Sequence, residues 1–542
     1  MKYAKKFIYI VTAFFLCGCV SSPALQEEPE YTELTMFSDV TFWNFPEWVL
    51  ESGSITAEIS KETNVALNVT IPPQESSKKL SLLLHKDELP DIISITDPIM
   101  IRQLIDSGKV WRLDEFLGRH CPDSHLLTDF PEDMKQEQIR QYGGWYAYSS
   151  NINSDDAREI WKEPSSYYGD LARYRQNYGI LWNRSLMKRA GLTEDFLQTQ
   201  SQVLRAFEKV KSMNLTVSGD PVIPVLFEGN DYQASSLGYL NNSFGAEQVD
   251  ENEDYIERWM QPECKDVLKF ANTLFRSEYA YTEHLAIDNV QVRALMESGR
   301  VLCYMGNVAN TGINAHDYIT TGPLISDNGN RPVLGMDLTT PTGWIQTFIS
   351  KDCACPDKAA QFLDYMTSAE GLLLSNYGLE GEDFFYDKDG LVRRTKTGKE
   401  KSENPLNAMT LFWNFYNSAW EHSVIPVPVS DSHEFLMAEI QSDFAKDRRT
   451  YVYDSGLLRL PEDYIPADSS LGQLDSKLAL FRKEQIPKII SASSDEEFET
   501  AYAYFISHQK DLGIERLERK INEQMHKNFT FYKKIIEKVN RP

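Results

Sequence analysis

Side chains able to do covalent or metal chemistry are plentiful in this chain but are not arranged for it. It holds nine His, seven Cys and 80 Asp or Glu. A zinc hydrolase needs two His one helical turn apart with a Glu between them, and no HExxH occurs. A serine hydrolase of the α/β type needs its nucleophile in a GxSxG elbow, which is also missing. A glycosidase needs two carboxylates roughly 5–9.5 Å apart. Among 80 acids such pairs always exist, so their presence argues nothing. Cys353-Ala354-Cys355 is neither a zinc nor a redox spacing by itself. Tyr386-Asp387-Lys388-Asp389-Gly390 has half the look of a calcium loop, but the other half is missing and a turn is expected. No catalytic residue, metal or cofactor is therefore assigned. What the chain does have is flat rings, including 10 Trp.

The cysteine with a defined chemical setting is Cys19. Met1 to Lys6 carries three Lys and no acid, Phe7 to Leu16 is apolar apart from Thr12, and the run ends Leu16-Cys17-Gly18-Cys19. A basic start, a short apolar core and small residues at its end make a secretory signal. The run is too short for a comfortable span of ~30 Å of hydrocarbon. Its end resembles a bacterial lipobox, which implies cleavage after residue 18 and a diacylated Cys19 as the first mature residue. Residues 19–30, with Glu27, Glu28 and Glu30 among Ser and Pro, read as a flexible tether. The expected location is the extracytoplasmic face of the cell membrane, held by lipid.

Processing leaves 524 of the 542 residues, too many for one core, so two or more lobes are expected. Losing the signal's three Lys takes the formal net charge from −25 to −28. Such a surface repels nucleic acid and bare anionic lipid. The five Cys beyond the signal, Cys121, Cys264, Cys303, Cys353 and Cys355, show no repeated spacing, so disulfides are not the main support.

The elements that would position any site are mixed α/β. Thr32–Ser38 reads as a strand, and Val49, Ile55 and Ile59 share a helical face within residues 48–61. Val65, Leu67, Val69 and Ile71 alternate as a half-buried strand does, and Ile92–Ile95 is apolar throughout like a buried parallel strand. Strand–helix–strand alternation of this kind gives a doubly wound sheet. Further strands are expected at 179–182, 221–227, 301–305 and 343–350. Thr199-Gln200-Ser201-Gln202 is a capping box for the helix carrying Val203, Leu204, Phe207 and Val210. Helices are also expected over 288–299 and 357–367, from Ser494 to a stop at Gly513, and from Ile514 through Met525. The basic-aromatic stretch Lys527 to Lys538 reads as a packed helix with a solvated face.

In this order the pieces resemble the extracellular solute-binding proteins of ABC importers, the large sugar-type group of Gram-positive lipoproteins. Four stretches carry the likeness: Leu89-Pro-Asp-Ile-Ile93 followed by Gly108 and Trp111 to Phe116; Gly179 to Leu192; Ala294 to Cys303; and Gly343 to Lys351 with Pro356 to Ala360, Phe362 to Met366 and Tyr377 to Gly381. Ser185 stands where the family has Asp, and Tyr142-Gly-Gly-Trp-Tyr146 replaces a Tyr-Gly-Lys-x-Tyr-Gly run. The resemblance implies a two-lobed periplasmic-binding-protein-like α/β fold, with hinge crossings and a ligand cleft between the lobes. Lobe 1 would be 31–145 with about 343–425, and lobe 2 about 146–342 with about 426–542. It implies a monomer that captures a carbohydrate, of oligosaccharide size given the many Trp, and passes it to membrane permease subunits. A sugar offers apolar C–H faces to stacked rings and hydroxyls to carboxylates and amides. By position in the resembled family, the cleft candidates are Asp39, Trp43, Asp97, Trp145, Tyr178, Asn307, Trp344 and Trp413. An exported glycosidase and a surface adhesin or sensor of the same fold are the alternatives.

Overall fold

The computed structural model describes residues 31–539, apart from 42, 44, 46, 229–234, 251–253, 337–342 and 462–463. The signal, Cys19 and the tether lie outside the described residues.

Two sheets organise the chain. In the first, Thr32–Ser38 runs parallel to Val65–Thr70 on one side and to Ile92–Ile95 on the other. Successive residues feed opposite faces, as the two-residue strand period requires. Met36 and Leu34 join one core with Ile59, Phe116 and Phe362, while Phe37, Ile93 and Ile95 join another with Leu80 and Leu104. Both faces are thus covered by helices, which is why Ile92–Ile95 is buried at every position. Gln346–Ile349 returns from much later in the chain, antiparallel to Ile92–Ile95, and also pairs with Tyr148–Ser149. The chain therefore leaves this sheet only after Ser149.

The second sheet has the order Tyr318–Ile319, Tyr178–Asn183, Val301–Asn307, Ile223–Phe227. Val301–Asn307 is parallel to Ile223–Phe227 and antiparallel to Tyr178–Asn183. Trp182 packs on Phe207 in the larger core, and its neighbour Leu181 faces the opposite one. The capping box at Thr199 forms as its sequence predicts, with Gln202 bonding back to the Thr199 backbone. Asp288 makes a second capping box, with Gln291, ahead of Asn289–Glu297. Val49 does not join the first helix. That helix starts at Ile55, because the Ser54 side chain accepts from the Ala57 N–H and caps it there.

The last third of the chain divides between the two bodies. Pro356–Thr367 and Ala369–Tyr377 pack on the first. His433–Lys446 packs on the second; Ser470–Ile490 and Asp495–Leu512 join it through Pro262–Arg276, and Ile514–Val539 packs on those two helices and on Ser455–Leu458. Tyr451–Asp454 forms a parallel pair with Val333–Met336.

Candidate functional site

The segments joining the two bodies meet one another. The Ser150 N–H donates to the Ile345 carbonyl at 2.9 Å, and the Asn151 N–H to the Tyr416 carbonyl at 2.6 Å. The Ser418 hydroxyl bonds the Asn151 side chain. Gly343 lies against Ser150 so closely that a Cβ there would sit 1.4 Å from the Ser150 carbonyl oxygen. Three crossings are thus tied side by side.

Beside them opens a cavity of about 810 Å³. One wall comes from residues attached to the first sheet: Asn151, Asn153, Tyr416, Ser418 and His422. The facing wall comes from Tyr178, Ala309, Gln441 and the strand residues Leu334, Gly335 and Met336. Leu171, Arg175, Gln176 and Asn177 close the end, where Ser166–Tyr174 runs into the second sheet. Buried Gln441 holds that end together. It accepts from Arg175 Nε at 2.8 Å, donates to Asn177 Oδ1 at 3.3 Å, and its carbonyl accepts the Gln176 N–H at 3.1 Å.

The chemistry of the wall is amide, hydroxyl and guanidinium, with no Asp or Glu among the described lining residues. The nearby Glu421 carboxylate is committed to two phenols, Tyr377 at 2.6 Å and Tyr416. His422 stacks on Tyr168 with ring centroids 4.4 Å apart, and its buried Nδ1 has no hydrogen-bond partner. Burial pushes the His422 pKa down to about 4, and the Arg175 and Arg158 charges push in the same direction, so the ring is neutral at pH 7. Beyond Asn307, buried Glu228 ends Ile223–Phe227 and accepts from the Tyr304 hydroxyl at 2.9 Å. Burial raises its pKa to about 7, against hydrogen bonds from Tyr304 and the Asn307 backbone. A recess of this volume, polar but with apolar Leu and Met surface, suits a small polyhydroxylated ligand.

No family model and no curated relative matches the chain. Solved structures do. The FusA substrate-binding protein of a Streptococcus pneumoniae ABC transporter, in complex with kestose, superposes with a TM-score of 0.66 at 13% identity. The match covers 92% of this chain and 99% of that one. A solute-binding protein from Bifidobacterium longum infantis, described as binding HMO, gives 0.62 at 12% identity over 91% and 98% of the two chains. The N-glycan transport solute-binding protein of S. pneumoniae gives 0.56 at 12% over 92% and 99%. This is the fold of ABC-transporter solute-binding proteins.

Within the solute-binding fold, the eight cleft candidates take different places. Tyr178 lines the cavity, and Asn307 pairs with it across the strands, buried, its side chain accepting the Ala309 N–H. Trp344, Trp413 and Trp43 come together as one ring ladder, with Trp413 at 6.1 Å from Trp344 and 5.7 Å from Trp43. Only the outer ring is open: Trp344 is 43% exposed and Trp43 2%. Trp145 is fully buried against Phe130, and its indole N–H goes to the Ala147 carbonyl. The two acids serve the backbone. Asp39 accepts the N–H groups of Thr96 and Asp97 at 2.8–3.0 Å, and Asp97 caps Pro98–Asp106 through the N–H of Ile99 and Met100. Asp387 closes the hairpin turn expected from its sequence. It takes the N–H groups of Asp389 and Leu391 and an ion pair from Arg393.

The cavity residues that sequence reasoning passed over are Asn151, Asn153, Arg175, Gln176, Asn177, Tyr416, Ser418, His422 and Gln441. One signal was available. Asn151-Ile-Asn153 and Arg175-Gln-Asn177 are polar runs lying just after one strand and just before another, where the chain changes sheet.

Proposed function

We propose that this protein is the lipid-anchored, extracytoplasmic substrate-binding component of an ABC transporter, capturing an oligosaccharide and delivering it to membrane permeases. The observation that carries the reading is the cavity between the two bodies. Its lining of amides, hydroxyls and a guanidinium supplies donors and acceptors for sugar hydroxyls, and Trp344 offers an open ring beside a crossing for a sugar's apolar face. The protein acts by binding and carries out no catalysis. Ligand selects the closed arrangement of the bodies by touching both walls at once. The lipid on Cys19 keeps the binder close to its permease and raises its effective concentration there.

A thermal-shift screen of residues 24–542 against a glycan panel tests the binding. A specific oligosaccharide should raise the melting temperature in proportion to the logarithm of its concentration. Ligands found only among peptides or polyamines would overturn the substrate class, and hydrolysis of an offered glycan would overturn the binding role. Cys19→Ser should release the protein from membranes without changing the affinity of the purified body; retention on the membrane would remove the lipid anchor from the account.

A further inference from the structure

The reading of the cavity as a saccharide site can be taken one step further, to the charge of the saccharide. Arg175 lines the cavity at the end of Ser166–Tyr174. Its Nε is fixed by Gln441, which aims the planar fork while leaving the two terminal nitrogens with no carboxylate partner among the described residues. The other nearby cation, Arg158, is already paired with Asp155 at 2.6 Å. Of the nearby acids, Glu421 is spent on Tyr377 and Tyr416, and Glu439 pairs with Lys446 at 3.1 Å. Neighbouring His422 is kept neutral chiefly by its burial, with both arginines acting in the same direction. The described lining of the cavity therefore holds one guanidinium and no carboxylate, inside a protein whose overall charge is −25.

We infer that the cleft selects acidic saccharides, with the carboxylate of a uronate-type sugar seated on the guanidinium of Arg175. A guanidinium matches a carboxylate with two parallel hydrogen bonds, and Arg175, exposed at the cavity wall, is within reach of such a partner. The negative surface opposes an anion only weakly, because charges beyond ~8 Å are screened at physiological salt, whereas a bidentate contact at hydrogen-bond distance on exposed Arg175 is screened less. The wall offers no carboxylate to a cationic ligand, which makes amines and basic peptides the disfavoured class.

The test is calorimetric titration of the detergent-solubilised full-length protein with oligogalacturonates, with their methyl esters and with neutral oligosaccharides of the same length. The free acids should bind 10–100-fold more tightly than their esters, about the worth of hydrogen bonds to a charged group. Arg175→Gln should weaken the free acids by a further 10–100-fold relative to the neutral sugars, which lose only one hydroxyl donor, and so should abolish the preference of acid over ester. Equal affinity for acid and ester, or equal loss for acidic and neutral sugars in Arg175→Gln, would overturn the proposal and leave the saccharide reading standing. Binding of no saccharide of any kind would overturn both. The ester comparison uses the unaltered protein, so it decides the matter even if the variant fails to fold.

Discussion

At Glu228 a single side chain sets a dependence of stability on pH. Its carboxyl is raised to about 7 from an ordinary 4.5 by burial. Between those values the native state binds a proton that the unfolded state has lost, so stability falls as pH rises through the window and levels off above it. Glu228→Gln keeps an acceptor for the Tyr304 hydroxyl and removes the titration. It should stabilise the protein by up to about 3 kcal/mol at pH 8 and by almost nothing at pH 4.5. Melting temperatures of both proteins at the two pH values check this, and a variant no more stable at pH 8 contradicts it. Trp145 shows the limit of reading single residues. An indole in a loop sequence looks the same whether it will stack on a sugar or on Phe130, because its apolar face and polar N–H serve either setting. Truncating a fully buried Trp costs ~3–5 kcal/mol. Lost binding in such a variant would therefore report unfolding.

At the scale of elements, Gly343 is where two crossings touch. A Cβ placed 1.4 Å from the Ser150 carbonyl oxygen has nowhere to go, since that oxygen is backbone. Gly343→Ala should force the two crossings apart and break the Ser150–Ile345 pairing. The measurement is amide exchange at Ser150 and Ile345, which should speed up at least tenfold; unchanged protection would mean that the strands absorb the methyl. Most of the elements themselves were legible. Val65, Leu67 and Val69 alternate, Thr199 and Gln202 cap, and Gly513 stops a helix, because each signal is local and repeats with the period of its structure. The cavity was not legible, because Arg175, Gln441 and His422 come from three distant segments and carry no period. Asp39 and Asp97 misled for the opposite reason. A short acid after a strand is as useful for binding the next loop's N–H groups as for binding a ligand.

At the scale of the whole molecule, the two bodies also touch away from the crossings. Glu137, buried on Glu132–Tyr142 of the first body, pairs with Arg459 of the second at 3.5 Å. Burial opposes ionisation of Glu137, but Arg140 and Arg459 outweigh it and hold the carboxyl below the usual range. The contact favours the approach of the bodies before any ligand arrives. Arg459→Met should shift the free protein towards the open arrangement, seen as a larger radius of gyration in solution scattering, and should weaken ligand binding a few-fold. An unchanged radius would assign the pair to local stability alone. The pairing of Val333–Met336 with Tyr451–Asp454 has a practical consequence as well. Leu334 and Met336 line the cavity, yet the strand that braces them lies over 110 residues further along the chain. A nascent chain halted, or a recombinant fragment cut, before Tyr451 would retain every strand of the five- and four-stranded sheets and still lack the buttress of its own pocket.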